Sequence, residues 1–130
     1  MGACYSVTLK AKIKDEKGVV EALNDFIAND TRTNYSLDLY KEQGIGTETV
    51  DDLMRIFLAG WKNQEVKITE EEGFRIYKND FNASYGWEGV MMRMFHEIAP
   101  FMEDGSELLI WPDSSYDLLV VGEGEVVQLH

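Results

Sequence analysis

The residue types that most often perform chemistry in proteins are sparse in this chain of 130 residues. It contains two histidines and one cysteine. His96 begins the segment HEIAP, in which Pro100 stands where a zinc-protease helix carries its second histidine. We therefore interpret His96 as a surface residue of a helix, and Cys4 as a small apolar residue near the start of a strand.

A glycine-rich segment, QGIGTETV, has the composition of a phosphate-binding loop that leads into a helix. It lacks the third glycine of a dinucleotide-binding loop and the lysine of a P-loop. Glu48, Asp51 and Asp52 place negative charge at the start of the following helix, where they repel an anion. The acidic segment TEEEG does not have the spacing of a calcium-binding loop. The sequence therefore predicts no catalytic residue, no cofactor and no metal ligand.

The most individual segment of the chain, NDFNASYGWEG, leads from a predicted strand into a predicted helix. Tyr85 and Trp87 each carry a large flat surface with a polar group, which suits an exposed platform for a partner. The alternative is that both residues seal the end of the helix against the sheet. We take Asp80, Asn82, Tyr85 and Trp87 as the candidate interaction surface. Asp80 with Tyr85 also defines a different possibility, a small-ligand module or enzyme that uses buried carboxylates.

The chain is strongly acidic, with a formal net charge of −12. Coulomb repulsion opposes direct binding to DNA, RNA or an anionic membrane, so we expect none of these partners. No lysine or arginine follows Arg93. The acidic residues beyond it lie mostly at expected strand ends and turns, which favours an ordinary solvated surface. The alternative is an acidic face that mimics nucleic acid and occupies a basic partner.

The sequence also bears on where the protein acts. No segment reaches the roughly 18 consecutive apolar residues of a membrane-spanning helix, and no signal-peptide pattern opens the chain. The single cysteine suits a reducing compartment. The first residues, MGACYS, fit an N-myristoylation pattern, but strand alternation starts at Tyr5 and leaves no linker between a lipid and the fold. We predict a cytoplasmic protein that does not bind membranes.

Hydrophobic periodicity divides the chain into strands and helices of a single domain. Tyr5, Val7 and Leu9 begin a clean alternation of apolar and polar residues that is typical of a strand with one buried face. The predicted elements are strands at 5–14, 74–83, 107–111, 116–121 and 126–129, helices at 15–29, 50–60 and 87–99, and a less distinct strand at 35–40. This order predicts an α+β domain with a largely antiparallel sheet of four to five strands, helices on one face, and a ferredoxin-like layout with additions.

The C-terminal half resembles a group of known proteins at the segment FNASYGWEGVMMRMFHEIAPFMEDGSELLIWPD. This segment is similar to small acidic, uncharacterised proteins of Gram-positive bacteria and their mobile elements. Its strand, aromatic loop, helix and strand are also similar to ferredoxin-like domains encoded on plasmids. The resemblance implies a bacterial, cytoplasmic accessory protein and transfers no activity to any residue.

Three functions follow as predictions from these observations. The first is a non-catalytic accessory protein that acts through contacts with an unknown protein partner, as an inhibitor encoded by a mobile element. The second is the acidic nucleic-acid mimic. The third is the small-ligand module or enzyme.

Overall fold

The long first strand, β1 (Gly2–Ala11), lies in the middle of the sheet because it pairs with strands on both sides. The computed structural model describes residues 2–29, 42, 46–59, 66–84, 86–111 and 117–129. These residues form a six-stranded sheet of order β2-β3-β1-β4-β5-β6, in which all neighbouring strands are antiparallel. The other strands are β2 (Lys67–Glu71), β3 (Phe74–Ser84), β4 (Glu107–Trp111), β5 (Asp117–Gly122) and β6 (Glu125–Gln128).

The α+β class is confirmed, but the predicted number of strands is wrong. The strand missing from the sequence-based expectation is β2, whose residues KITEE alternate weakly in polarity. At an edge of the sheet four of its five residues are exposed, so neither face of β2 leaves a clear apolar signal. The short strand considered at 35–40 lies outside the described residues.

Two hairpins of the sheet turn through the same dipeptide, Glu-Gly. Glu72 and Gly73 connect β2 to β3, and Glu123 and Gly124 connect β5 to β6; all four have positive φ. Two consecutive residues with positive φ are the signature of a type I′ turn, whose twist matches that of antiparallel strands. The acidic residues Glu72 and Glu123 therefore belong to the tight turns that close these two hairpins.

Within the described ranges, three α-helices occupy the positions that helical periodicity predicts. The second begins after Thr49, whose hydroxyl accepts a hydrogen bond from the N–H of Asp52 at 3.1 Å and so caps the helix. The third is followed by a short 3₁₀ helix (Ala99–Phe101) that contains Pro100, a residue that cannot continue the hydrogen bonding of an α-helix. The helices are α1 (Glu16–Asn29), α2 (Val50–Phe57) and α3 (Trp87–Ile98).

The hydrophobic core lies between the helices and one face of the sheet. Alternate residues of β1 enter it, including Tyr5 and Leu9, and the buried residues of β4 and β5 join the same cluster. Helix residues such as Leu23 and Phe95 complete it. The helices therefore pack against one face of the sheet, as the sequence predicts.

The opposite face of the sheet has no helix above it among the described residues. Apolar residues on both faces of the C-terminal strands suit strands that are covered on each side or lie at the middle of a sheet. Leu119 is fully buried, Leu109 is partly buried, and Val127 retains 48% of its accessible surface. Leu119 and Leu109 agree with this interpretation, whereas Val127, on the last strand of the described sheet, does not.

Candidate functional site

The helix-free face of the sheet is built by the period-two alternation of its strands. On β1, Ser6 is exposed and Thr8 and Lys10 are partly buried, while the residues between them point into the core. The same alternation on the five other strands produces a continuous surface. Its halves differ, because β2, β3 and β1 place mainly polar residues on it and β4, β5 and β6 place mainly apolar ones.

An apolar stripe crosses the second half of this face. Leu109 lies opposite Leu118, and Val120 lies opposite Val127, so side chains from adjacent strands stand side by side. The N–H of Leu129 donates to the carbonyl oxygen of Leu118 at 2.8 Å, which continues the register beyond β6. We define the apolar stripe as Leu109, Trp111, Leu118, Val120, Val127 and Leu129.

The stripe contains side chains with large accessible surface. Trp111 is 49% exposed, Val127 is 48% exposed and Leu129 is 62% exposed. Single exposed apolar residues are ordinary, but residues gathered on neighbouring strands form a patch, and such patches mark contact surfaces. A tryptophan within the patch adds a residue type that often dominates binding energy.

Lysines are concentrated in the other half of the face. Lys67 and Lys78 lie directly opposite each other on β2 and β3. Like charges in this arrangement destabilise a sheet, so the pair is not explained by stability. The Nζ atoms of Lys10 and Lys12 lie 4.6 Å and 5.7 Å from the centroid of the Phe74 ring, within the range of a cation–π contact.

The face as a whole is close to neutral, in contrast to the rest of the chain. Its strands present three lysines and four carboxylates, a net charge of −1, against −12 for the whole protein. Most of the negative charge must therefore lie elsewhere. The charged residues of this face are Lys10, Lys67, Lys78, Glu71, Asp80, Glu107 and Glu125.

The structure brings two of the four predicted site residues onto this face. Asp80 lies opposite Ser6, and Asn82 lies opposite Cys4, with both side chains exposed on β3. Cys4 is an exposed cysteine without a disulfide on the same face, so the prediction that it packs as a small apolar residue is wrong. Tyr85 lies outside the described residues.

Trp87 does not reach the surface. It is 2% exposed, and its indole N–H donates to the carbonyl oxygen of Phe57 at 2.8 Å. Of the two interpretations left open, the exposed platform is therefore wrong for Trp87, which is buried in the core and bonded to the end of α2. A buried tryptophan with a satisfied N–H cannot contact a partner without local unfolding.

A buried tyrosine–carboxylate pair lies behind the face, at the start of α3. The Tyr5 hydroxyl donates to Oε2 of Glu88. Burial, followed by the hydrogen bond and the charge of Glu88, raises the pKa of Tyr5 to about 12. The phenol therefore remains protonated near neutral pH and acts as a hydrogen-bond donor that joins β1 to α3.

A second pair lies where β3 meets α1 and α2. The Tyr77 hydroxyl donates to Oδ1 of Asp51 at 2.6 Å, and burial together with this hydrogen bond raises the pKa of Tyr77. Arg75 lies 3.2 Å from Glu16 and 3.3 Å from Asp51. Its hydrogen bond with Tyr77, with the charge of these acids, raises the pKa of Arg75. The cluster pairs one cation with two carboxylates and links β3 to α1 and α2.

The helical side carries an acidic groove of about 630 Å³ between α1 and the end of α3. We define the acidic groove by its carboxylates, Asp15, Glu21, Asp25 and Glu97. Lys17 and the partly buried Phe101 also line it. Among the described residues, no group of three or more histidine, cysteine, aspartate or glutamate side chains could hold a metal ion.

Sequence reasoning did not select the apolar stripe as a site. The signal was present in the runs LLI, LLVV and VV, which are apolar at consecutive positions. Consecutive apolar positions show that both faces of a strand carry apolar side chains, but they do not show what covers each face. The exposed fractions of Trp111, Val127 and Leu129 supply that information.

Comparisons with known proteins give no assignment for this surface. Searches against protein-family models, curated proteins and solved structures find no significant match to the chain. Within the part of the chain that the structure describes, no helix is both long enough and apolar enough to cross a membrane.

Proposed function

We propose that this chain is a non-catalytic accessory protein that acts through protein–protein contacts, and that its contact surface is the helix-free face of the sheet. The observation that carries the proposal is the apolar stripe, with Trp111, Val127 and Leu129 each about half exposed or more. The centres of protein interfaces are depleted in charge and enriched in aromatic residues. The apolar stripe, which contains Trp111 and no charged residue, has this composition.

The order of elements also supports a ferredoxin-like layout for the first part of the fold. Disregarding α2, the chain runs β1, α1, β2, β3, α3, β4, which is the succession of a split βαβ domain. The corresponding strands lie in the order β2-β3-β1-β4, with the hairpin of β5 and β6 as the addition. The resemblance to proteins of mobile elements extends the proposal to a cytoplasmic inhibitor.

Charge insertion into the stripe tests the proposed contact surface. The tagged protein is used to capture partners from a Gram-positive bacterial lysate, and the variants Val127→Lys and Leu129→Lys are compared with the unchanged protein. We expect each variant to reduce capture of the partner at least about tenfold, because a lysine in an apolar contact must be desolvated. Ala28→Lys, at an exposed position of α1, is the matched control and should leave capture unchanged. Equal capture by all of these proteins would reject the stripe as the contact surface.

The acidic groove favours a second candidate function, the acidic mimic that occupies a basic partner. Asp15, Glu21, Asp25 and Glu97 surround one open groove on the side opposite the neutral face. Capture that depends on this groove should be lost in Glu21→Gln/Asp25→Asn and should weaken steeply as salt rises from about 0.1 M to about 1 M. Capture through the stripe should persist at the higher salt. The same experiment therefore separates the two functions.

A further inference from the structure

We propose that β2, at the edge of the sheet, pairs antiparallel with β2 of a second copy of this chain, in the register that places Lys67 of each copy opposite Glu71 of the other. The two sheets then join edge to edge about a two-fold axis at Thr69. The proposal does not rest on the proposed function, because it concerns a strand edge rather than the apolar stripe. Three features of the described residues lead to it.

The outer backbone of β2 has groups available for a further strand. Among the described residues, β2 pairs with β3 alone, and four of its five residues are exposed. Glu71 and Phe74 flank the two-residue turn between β2 and β3, so they form a hydrogen-bonded pair. Such pairs alternate with non-hydrogen-bonded pairs along antiparallel strands. The N–H and carbonyl groups of Ile68 and Glu70 therefore point away from β3.

The charge pattern of β2 selects one register for a second copy. With the axis at Thr69, Ile68 of each copy lies opposite Glu70 of the other, which brings the outward backbone groups of both strands together. Lys67 then lies opposite Glu71 at both ends of the paired segment, and cross-strand pairs of opposite charge stabilise antiparallel strands. An axis at Glu70 would place this residue opposite itself, where like charges destabilise the pair. An axis at Ile68 would leave Lys67 opposite Thr69, without a partner of opposite charge.

The pairing also accounts for the two lysines that lie opposite each other on β2 and β3. Lys67 and Lys78 form a like-charge pair within one copy. Neither Lys67 nor Glu71 forms an ion pair with another described residue. In the dimer, Lys67 lies between Lys78 of its own sheet and Glu71 of the second copy, on the same face. The dimer therefore offsets part of a repulsion that the single sheet contains.

The charges of β2 also indicate which strand fits its edge. Charged residues usually protect an edge strand from pairing with other chains. A strand that carries the opposite order of charges escapes this protection, because it meets unlike charges. In the antiparallel direction β2 itself has that order, since its first residue is Lys67 and its last is Glu71. Charge complementarity therefore points to a second copy rather than to an unrelated strand.

Charge exchange on β2 tests the pairing in the purified protein. Sedimentation of the unchanged protein should show a concentration-dependent dimer. Lys67→Glu places like charges opposite each other at two positions, as does Glu71→Lys, so each should raise the dissociation constant about tenfold or more. The double variant Lys67→Glu/Glu71→Lys restores two unlike pairs, and its dissociation constant should lie within about threefold of that of the unchanged protein. An equimolar mixture of the two single variants should form a heterodimer for the same reason.

The same variants separate the pairing from net charge and from folding. Glu71→Lys makes the protein less acidic, so general repulsion would strengthen the dimer, whereas the pairing predicts that it weakens. Glu21→Lys, at an exposed position of α1, makes the same change in net charge and is the matched control, which should not weaken the dimer. Lys67→Glu places an acid opposite Lys78 of its own sheet and should not destabilise the monomer. Circular dichroism verifies that each variant is folded.

Disulfide trapping tests the position of the axis. In the background Cys4→Ser, the substitution Thr69→Cys places two cysteines in a non-hydrogen-bonded pair, whose Cα separation of about 4.5 Å permits a disulfide. Mild oxidation should give a covalent dimer. Ala28→Cys, at an exposed position of α1 in the same background, should remain monomeric.

Three results would overturn the proposed dimer. The first is a protein that stays monomeric at all concentrations. The second is a dimer that both single charge variants leave unchanged, or that the double variant fails to restore. The third is a dimer that oxidation of the Thr69→Cys variant does not make covalent, since the two copies of β2 would then not meet at this residue.

Discussion

At the scale of single residues, Tyr5 and Tyr77 use their hydroxyls as permanent donors to carboxylates. Both are fully or almost fully buried, and both donate to an acid on a helix, Glu88 and Asp51 respectively. A phenol is suited to this position because it can bury a large ring and still satisfy one polar atom. Each pair therefore connects the sheet to a helix through the core.

The raised pKa of Tyr5 makes the free energy of unfolding depend on pH in the alkaline range. Because the pKa of Tyr5 is raised from its ordinary value near 10 to about 12, the folded state retains a proton that the unfolded state loses. This contribution is complete below pH about 10 and is lost as the pH rises towards about 12. We expect the free energy of unfolding to fall with a shallower slope over this range in Tyr5→Phe than in the unchanged protein. Urea titrations followed by circular dichroism measure both slopes, and equal slopes would contradict the role assigned to Tyr5.

Residue roles were predictable from the sequence where local geometry decides them. The hydroxyl of Thr49 caps α2, as its position directly before a segment of helical periodicity indicates. The orientation of Trp87 was not decided locally, since it depends on the carbonyl of Phe57, a residue 30 positions earlier in the chain. Sequence spacing does not reveal contacts across such a separation.

At the scale of elements, α2 shows how tertiary contacts support a helix of only eight residues. Helices of this length are marginal on their own, because few internal hydrogen bonds offset the cost of ordering the chain. The carbonyl oxygens at its C-terminal end accept side-chain hydrogen bonds, from Trp87 to Phe57 and from Asn79 to Leu58, both at 2.8 Å. These contacts connect α2 to α3 and β3 and satisfy groups that the helix leaves unpaired.

The N-terminal end of α2 depends on Thr49. The substitution Thr49→Ala removes the oxygen that accepts from the N–H of Asp52, and we expect a loss of about 1 kcal/mol in the free energy of unfolding. Thr49→Ser retains that oxygen and should remain close to the unchanged protein. Urea denaturation of the three proteins provides the comparison. A loss of equal size in Thr49→Ser would mean that the methyl group, rather than the cap, supports the helix.

Elements with strong periodicity, such as β1 and the three helices, were predictable because one buried face leaves a pattern in the sequence. β2 was not, because an edge strand exposed on both faces has no such pattern. The apolar stripe lies between these cases. Its residues were recognised as apolar, but whether a partner element covers the second face is a property of the assembled sheet.

At the scale of the whole molecule, the charge is unevenly distributed between the two sides. The helix-free face carries a net charge of −1, while the helical side carries the acidic groove. Uncompensated charge of one sign destabilises a compact state through self-repulsion. The uneven distribution therefore concentrates this cost on the helical side and leaves the neutral face suited to contact.

Removal of one carboxylate from the acidic groove should stabilise the fold. Glu21 and Asp25 lie four residues apart on α1, a spacing at which like charges destabilise a helix by about 0.2–0.5 kcal/mol. We expect Glu21→Gln to raise the free energy of unfolding by this amount at about 0.1 M salt, and by less at about 1 M. Lys17→Gln removes a cation from the same groove and should have the opposite sign. Urea titrations at both salts measure these effects, and an equal gain at both would exclude charge repulsion as the cause.

The position of β1 has a consequence for how the protein is made. β1 precedes every other strand in synthesis, yet its partners β3 and β4 begin only at Phe74 and Glu107. The hairpins formed by β2 with β3 and by β5 with β6 can close locally on a short timescale, whereas β1 must remain unpaired until β3 leaves the ribosome and keeps its second edge open until β4 follows. Interactions between residues so distant in the chain slow folding and expose apolar segments meanwhile. A nascent chain released before Trp111 is synthesised would therefore leave the edge of β1 that pairs with β4 exposed, would be prone to aggregate and would depend on chaperones.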